Sequence, residues 1–518
     1  MELLLLVLVV AVAGLSVLAR VVDVPYPILL VIGGLALGFV PGIPAVELPP
    51  ELVLVVFLPP LLYWAAFFSS LHDLRADTRA ITLSAVVLVL ITAAAVAVVA
   101  RGLVDGLPLA AAFALGAIVS PTDPLAATAI GRRLGVPRRL ITILEGESLV
   151  NDATALVAYR VAVAAAVGGA FVFWDAAMRF VVGVVGGVAI GLLVGWIVVE
   201  VRRRLDDPVV EIVVSVVTGY AAYLPAEQLR VSGVLAAVTA GLFVGWRAPE
   251  IASASTRLLG FACWEVLVYL ANAVLFILVG LQLRPILAGL GGTSMAVLIG
   301  QAALVSAVVI LVRLAFVFNV PYLIRLLDRR PSQVARRVGA RPRLVVGWSG
   351  MRGAVSLAAA LALPLDFPFR NLIVFLTFAV ILATLVLQGL TLPTLIRRLG
   401  VHGDDAEHEE ELRGRLAATD AALDRLQELA AVEWTRNDTV ERLQGLYQFR
   451  RRRLEARAGE ADDDGAEDRS LAYQRLVREL LEAQRHAIVR LRNEGVISND
   501  VMHRIERDLD LEDSRLEI

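Results

Sequence analysis

Apolar stretches of about 20 residues recur along the first 400 positions of this 518-residue chain. A helix of about 20 residues is long enough to cross the hydrocarbon core of a bilayer, and 58% of all residues are hydrophobic. Because only helices and closed barrels satisfy their backbone groups in lipid, the pattern predicts an all-α polytopic membrane protein. The alternative, a large soluble protein with many buried helices, fits this composition poorly.

Hydropathy and the positions of turn residues predict thirteen membrane spans in residues 1–400. An odd number of spans places the two ends of this region on opposite sides of the membrane. The predicted spans are 2–19, 26–41, 51–70, 80–100, 108–130, 140–168, 177–200, 209–224, 232–246, 256–283, 294–326, 343–366 and 371–397.

Loop arginines concentrate in alternate connections between these spans. Arg132, Arg133, Arg138 and Arg139 lie together between spans five and six, whereas the next connection toward the N-terminus holds only Arg101. Arginine-rich loops stay in the cytoplasm. The bias therefore predicts a multi-pass protein of the plasma (inner) membrane with its N-terminus outside and its C-terminus in the cytoplasm.

Residues 401–518 are predicted to form a charged, helical cytoplasmic tail. Apolar residues recur at helical spacing in 412–429, 440–454, 471–491 and 496–509. The acidic stretch 459–468 is expected to be a flexible linker. We find no catalytic motif in this segment, so we expect a regulatory or assembly role whose ligand or partner the sequence does not identify.

Span six carries Glu147, Ser148, Asn151 and Asp152 in the middle of an apolar run. An acid at bilayer depth costs roughly 2.5–3.5 kcal/mol on insertion scales, and a lipid-facing helix offers nothing to offset that cost. The pattern therefore predicts a buried polar site that handles ions or protons. Carboxylates are the expected proton carriers, because all five histidines lie outside the predicted spans.

Helical geometry separates the polar residues of span six into two faces. Glu145, Ser148 and Asp152 are spaced i, i+3 and i+7 and share one face. We expect this face to line the ion path, although a helix–helix hydrogen bond is an alternative role for Ser148. Glu147 and Asn151 share a second face, where we expect Glu147 to pair with a buried arginine and Asn151 to bind backbone.

Spans five and twelve are each predicted to contain a break in the helix. Pro121 and Pro124 remove two backbone donors on either side of Thr122 and Asp123. The run 347–356 places three glycines around Arg352, whose charge would balance the ends of half-helices. Interrupted helices at corresponding places in two inverted repeats mark the ion site of many transporters, and spans 1–6 and 8–13 would be those repeats.

Five short motifs occur in one order along residues 1–400 and together resemble the sodium/proton exchanger family of monovalent cation:proton antiporters, in its bacterial form. The motifs are Thr122-Asp123-Pro124, Glu147-Ser148-x-x-Asn151-Asp152, Asn272-Ala-Val-Leu-Phe276-x-x-x-Gly280, Gly350-x-Arg352-Gly353-Ala354 and Gln388-Gly389-Leu390-Thr391.

The resemblance implies a fold and a set of site residues. It implies a thirteen-helix homodimeric antiporter with crossed spans five and twelve, a scaffold of spans 1–3 and 7–10 and a mobile core of spans 4–6 and 11–13. It implies that Asp152 carries the ion and the proton. Asp123, Ser148 and the Thr122 carbonyl would complete a Na⁺ site, beside the neutral Asn151, and Glu147 would pair with Arg313 of span eleven.

The predicted function is secondary antiport of a monovalent cation, with Na⁺ favoured, against H⁺. Since Asn151 stands where a second acid would add another titrating charge, we predict one cation per proton and electroneutral exchange. A K⁺/H⁺ antiporter and a cation channel remain alternatives, whereas the lack of a metal-ligand histidine set and a nucleophile–base pair argues against an enzyme. The expected partners are membrane lipid and a second copy of the chain, with no cofactor beyond the transported ions and no nucleic acid.

Overall fold

A computed structural model describes the chain over residues 2–41, 49, 52–168, 173–290, 294–327, 338–403, 406–432, 434–458 and 466–516. The chain divides into two compact units, Met1–His402 and Gly403–Ile518. Within the described ranges, helices are the only regular secondary structure. The predicted all-α fold class is therefore confirmed.

The first unit has seventeen helices in the residues described, if continuous runs are counted once. They are α1 (Glu2–Val22), α2 (Tyr26–Gly38), α3 (Leu52–Phe67), α4 (Leu71–Ala76), α5 (Thr78–Leu103), α6 (Leu109–Val119), α7 (Leu125–Arg133), α8 (Arg138–Gly168), α9 (Phe173–Arg202), α10 (Pro208–Gln228), α11 (Gly233–Ile251), α12 (Ala254–Leu281), α13 (Leu283–Ala288), α14 (Met295–Leu327), α15 (Ala340–Trp348), α16 (Ala354–Leu361) and α17 (Arg370–Leu399).

Among the described residues, eight helices are long and apolar enough to cross a membrane, and four shorter apolar helices accompany them. The prediction of a multi-pass helical membrane protein is confirmed at this level. Some predicted spans are short in the structure because the helix is interrupted. Span five is divided into α6 and α7 around residues 120–124, and span twelve into α15 and α16 around residues 349–353.

Both interruptions have the local causes that the sequence indicates. Pro121 and Pro124 cannot donate backbone hydrogen bonds, so α6 ends at Val119. In the second interruption, Gly350 and Gly353 lie in non-helical backbone between α15 and α16, and Gly353 is extended. Two arginines, Arg313 and Arg352, are among the largest fully buried side chains and lie beside these interruptions. A membrane protein that buries two guanidinium groups has to supply partners for both.

The second unit consists of α18 (Ala406–Ala430), α19 (Asn437–Arg457), α20 (Ala466–Asn493) and α21 (Asn499–Leu516). Leu481 and Ile488 of α20 pack against Met502 and Leu509 of α21. Four helices were predicted here, and four occur in the described part. The predicted linker 459–468 lies outside the described residues as far as 465, and its last three residues belong to α20.

Helices α2 and α12 cross at two glycines. A Cβ atom placed on Gly34 would lie 2.2 Å from the carbonyl oxygen of Ile277, and one on Gly280 would lie 2.3 Å from the carbonyl oxygen of Val31. Backbone-to-backbone contact of this kind is how small residues let membrane helices approach each other. The crossing therefore depends on the absence of side chains at both positions.

We expect Gly34→Ala to destabilise the protein by about 1–3 kcal/mol, because the added methyl group has no space and the two helices must move apart. The matched control is Gly14→Ala in α1, where a Cβ atom meets nothing within 4 Å. That change should leave stability unchanged or raise it by up to about 1 kcal/mol. Thermal unfolding of the two variants in detergent tests the prediction, and equal midpoints would contradict the described crossing.

Candidate functional site

The two helix interruptions meet and satisfy each other's backbone. The N–H of Asp123 donates to the carbonyl of Met351 at 2.8 Å. The N–H of Arg352 donates to the hydroxyl of Thr384 at 3.1 Å, in a π-helical turn of α17. Interrupted backbone at membrane depth is tolerated only where protein or water replaces the lost hydrogen bonds. These contacts supply that replacement from three separate helices.

Arg352 is placed at the C-terminal end of the half-helix α6. Its Nη1 donates to the carbonyl of Ser120, and the residue is 1% exposed. The C-terminus of a helix carries a partial negative charge from its unpaired carbonyl groups. The guanidinium therefore places a fixed positive charge where α6 ends.

Two glycines allow the second interruption to approach charged side chains. A Cβ atom on Gly353 would lie 2.0 Å from Oδ2 of Asp123, and one on Gly350 would lie 2.3 Å from Cδ of Arg313. Any larger residue at either position would displace a charged group of the site. The Gly350-x-Arg352-Gly353 pattern thus has a packing cause as well as a conformational one.

Glu147 and Arg313 form a buried ion pair between α8 and α14. The two side chains are 2% and 1% exposed, and two hydrogen bonds join them, the second from Nη2 to Oε2 at 3.1 Å. Arg313 also donates from Nε and Nη2 to the carbonyl of Val346, at 3.3 and 3.2 Å. One arginine therefore links α8, α14 and α15, which surround the second interruption.

Asn151 and Thr122 connect the Glu147–Arg313 ion pair to the first interruption by hydrogen bonds. The Thr122 hydroxyl donates to Oε1 of Glu147 at 2.9 Å. The Asn151 amide donates to the same hydroxyl at 2.8 Å and to the Thr122 carbonyl at 3.3 Å. Asn151 is 1% exposed and is absent from the wall of the neighbouring cavity. Asn151 thus binds the backbone of Thr122, whereas the sequence analysis also grouped it with the ion-site residues.

The other face of α8 lines a cavity of about 280 Å³. Glu145, Ser148 and Asp152 contribute to its wall from α8, and Thr122 and Asp123 contribute from the first interruption. The two faces predicted for span six are therefore separated in the structure, with Glu147 turned to Arg313 and Asp152 turned to the cavity. Arg132, whose side chain is 68% exposed, marks the end of the cavity near the C-terminus of α7.

The two aspartates in this cavity differ in their partners. Asp123 Oδ1 accepts the backbone N–H of Leu125 at 3.0 Å, at the start of α7, where the helix carries partial positive charge. Asp152 is 7% exposed and accepts no hydrogen bond and forms no ion pair among the described residues. A carboxylate in that position can be neutralised by a proton or by a cation that enters the cavity.

Two further polar side chains line the cavity, and sequence reasoning gave them no role. Asn272 of α12 and Ser356 of α16 each have a buried polar atom, Nδ2 and Oγ respectively, that finds no hydrogen-bond partner in the part of the chain described. Both are single polar residues in apolar runs, which is the signal that singled out span six. Both also lie inside stretches that the sequence analysis quoted, the motif that begins at Asn272 and the run 347–356, but that analysis assigned them no contact with the cavity.

The chain is similar to known proteins along most of its length. A family model described as "Sodium/hydrogen exchanger, transmembrane" matches residues 6–398. A protein of Mycobacterium bovis, named an uncharacterized Na(+)/H(+) exchanger, is 37% identical over 526 residues, which cover 99% of this chain and 96% of the relative. A Na(+)/H(+) antiporter of Aphanothece halophytica is 33% identical over 405 residues, or 77% and 75% of the two chains.

A solved structure shows the same fold. The sodium proton antiporter of Methanocaldococcus jannaschii, at pH 8, matches with a TM-score of 0.58 and 19% sequence identity. The match covers 77% of this chain and 99% of that one. At this level of identity, the similarity extends to the arrangement of the helices.

We expect Glu147→Gln to destabilise the protein by about 3–5 kcal/mol, because it leaves Arg313 buried without its counter-charge. The control is Glu145→Gln, two residues away. Glu145 pairs with Arg132 at 2.7 Å near solvent, so its loss should cost at most about 1 kcal/mol. Thermal unfolding in detergent distinguishes the two, and a Glu147→Gln variant as stable as Glu145→Gln would show that the buried pair does not hold these helices.

Proposed function

Because this chain belongs to the sodium/hydrogen exchanger family, we propose that it exchanges Na⁺ for H⁺ across the plasma membrane as a secondary antiporter. The family consists of transporters and is not a class of enzymes. The observation that carries the proposal is Asp152, a buried carboxylate that faces a cavity and has no partner among the described residues.

One carboxylate with two competing ligands is sufficient to couple the two fluxes. When Asp152 holds a proton it cannot hold a cation, and when it holds a cation it cannot hold a proton. An unneutralised carboxylate in the membrane barrier costs several kcal/mol. The protein therefore switches the side of the membrane to which Asp152 is open only after Asp152 has bound one of the two ligands. This requirement prevents uncoupled leakage of ions.

We propose that the cation is held by oxygen atoms of Asp152, Asp123, Ser148 and Thr122. Carboxylate, hydroxyl and carbonyl oxygens are the ligands that hard cations prefer. The N–H of Leu125 orients Asp123 at the start of α7, so Asp123 would attract the cation while Asp152 exchanges it. The Thr122 carbonyl already accepts a hydrogen bond of 3.3 Å from Asn151 and would contribute its second lone pair.

We further propose the thirteen-span arrangement for the first unit, with two inverted repeats and a homodimeric assembly. The two interrupted helices, which meet at Asp123 and Met351, support a pair of repeats whose broken helices cross. Spans 1–3 and 7–10 would form the scaffold, and spans 4–6 and 11–13 the mobile core. The second unit would be a regulatory tail in the cytoplasm.

The cavity supports an inward-facing state. It runs from Asp152 to Arg132, which lies on the arginine-rich side that we assign to the cytoplasm. At the opposite end of α8, Arg160 pairs with Glu227 of α10 at 2.7 Å. This ion pair joins the proposed core to the proposed scaffold on the closed side. Alternating access would require the pair to separate as the core moves.

We expect Asp152→Asn to abolish exchange while the protein remains folded, because a neutral amide has no titratable proton to exchange for a cation and no negative charge for the two ligands to compete over. Asp105→Asn, in an exposed loop, is the control and should retain exchange. Proteoliposomes loaded with a pH-sensitive dye measure both variants against Na⁺, K⁺ and Li⁺ in turn. Cation uptake without proton movement by the unmodified protein would instead identify a channel, and a response confined to K⁺ would identify a K⁺/H⁺ antiporter.

We expect exchange to be independent of membrane potential, because one proton is exchanged for one cation. Each net charge moved would contribute about 2.3 kcal/mol per 100 mV, which makes electrogenic exchange easy to detect. The measurement is the initial Na⁺-driven pH change in proteoliposomes held at zero and at about 100 mV. A rate that rises with the potential would rule out one-for-one exchange.

A further inference from the structure

The wall of the ion cavity consists of a polar part and an apolar part. The oxygen atoms that we propose as cation ligands all come from α8 and the first interruption. Helices α3 and α12, which we assign to the scaffold, supply the apolar part of the wall. Among the described residues that α3 and α12 contribute, Asn272 alone has a side chain that can accept a hydrogen bond.

Asn272 is buried and has no hydrogen-bond partner in the described part of the chain. Its side chain belongs to a residue that is 2% exposed, and neither Nδ2 nor Oδ1 bonds to a described residue. The cavity-lining residues around it on α12 are apolar, namely Val268, Leu275 and Phe276. A buried amide without a partner lowers the stability of a protein. The cavity is the place from which a partner for this amide can come.

A cation that enters this cavity keeps some of its water. The cavity, of about 280 Å³, has room for several water molecules. The proposed protein ligands approach the cation from the polar part of the wall. On the side of the scaffold helices, apolar side chains cannot replace the water that the cation would lose there, and stripping a charge of water without replacement is costly. Water therefore remains between the cation and the scaffold.

We propose that the Asn272 side chain accepts a hydrogen bond from a water molecule that stays on the bound cation, and that Asn272 thereby raises the affinity of the inward-facing site for the cation. The inference rests on the proposed function and deepens it, because the ligands proposed so far all belong to the mobile core. Asn272 would be a specificity-determining residue supplied by the scaffold.

An amide is suited to this position by its charge and by the strength of its contact. It is neutral, so it adds no charge to one-for-one exchange and does not compete with Asp152 for the proton. A hydrogen bond through water is nearly as favourable in enthalpy as a direct one. Such a contact is strong enough to affect affinity, yet it breaks without leaving an unpaired charge when the core moves away from the scaffold.

Replacing Asn272 by leucine, a side chain of similar size, tests the proposal. We expect Asn272→Leu to raise the KM for Na⁺ about tenfold, the effect of losing one hydrogen bond to a charged group, while kcat is unchanged. The midpoint of thermal unfolding should not fall, because the change removes a buried polar group that has no protein partner. Na⁺-driven pH changes in proteoliposomes and unfolding in detergent measure the two quantities.

Two further variants identify the cause of the effect. Thr92 is 0% exposed, its Oγ1 also lacks a partner among the described residues, and it lies outside the cavity wall, so Thr92→Val is the control and should leave KM unchanged. Asn272→Ser keeps a hydrogen-bond acceptor and leaves space for one more water molecule, so it should retain most of the affinity.

Three results would overturn the proposal. The first is an Asn272→Leu variant with the KM of the unmodified protein. The second is an Asn272→Ser variant as impaired as Asn272→Leu, which would show that the acceptor is not the cause. The third is a lowered unfolding midpoint together with changes in both KM and kcat, which would assign Asn272 a structural role.

Equilibrium binding of radioactive Na⁺ to the purified protein separates this inference from the proposed function. We expect Asp152→Asn to lose binding and Asn272→Leu to bind about tenfold more weakly. If Asp152→Asn binds Na⁺ as the unmodified protein does, the proposed function fails. If Asp152→Asn loses binding and Asn272→Leu retains it in full, the inference about Asn272 alone fails.

Discussion

The absence of hydrogen-bond partners in lipid is the constraint on which the rest of this structure depends. Two helices are interrupted at membrane depth, and each supplies hydrogen-bond partners for backbone groups of the other. The N–H of Asp123 donates to the carbonyl of Met351, and the side chain of Arg352 donates to the carbonyl of Ser120. Gly353 is needed because the interruptions touch. Once two such segments are held together, unpaired backbone and charged side chains can exist where an intact helix would present only apolar groups.

The charges of the site fall into two groups with different roles. Glu147, Arg313 and Arg352 are almost fully buried and are paired with side chains or backbone, so they keep the helices in place. Asp152 has no such partner among the described residues and faces the cavity. Holding the paired charges fixed leaves one carboxylate free to exchange ligands. On α8 the two roles fall on different faces of the helix, with Glu147 in the paired group and Asp152 facing the cavity.

Much of this could be predicted from the sequence, because it follows from local properties. Pro121 and Pro124 indicated the first interruption, and the i, i+3, i+7 spacing separated Asp152 from Glu147. The pairing with Arg313 came from family resemblance, since nothing local joins residues 166 positions apart. Thr384 and Gly353 were missed as contacts of the interruptions for the same reason. The described residues hold eight full-length apolar helices and four shorter ones, because interrupted helices fall short of the length that a hydropathy window requires.

The central claim is that a proton and a cation compete for Asp152. The most direct test adds Na⁺ to the purified protein in weakly buffered detergent solution and measures the protons released. At a pH where the site is protonated, the account predicts release of about one proton for each Na⁺ bound, with apparent Na⁺ affinity falling as the pH is lowered. Binding of Na⁺ without proton release, or with an affinity that does not change with pH, would contradict it.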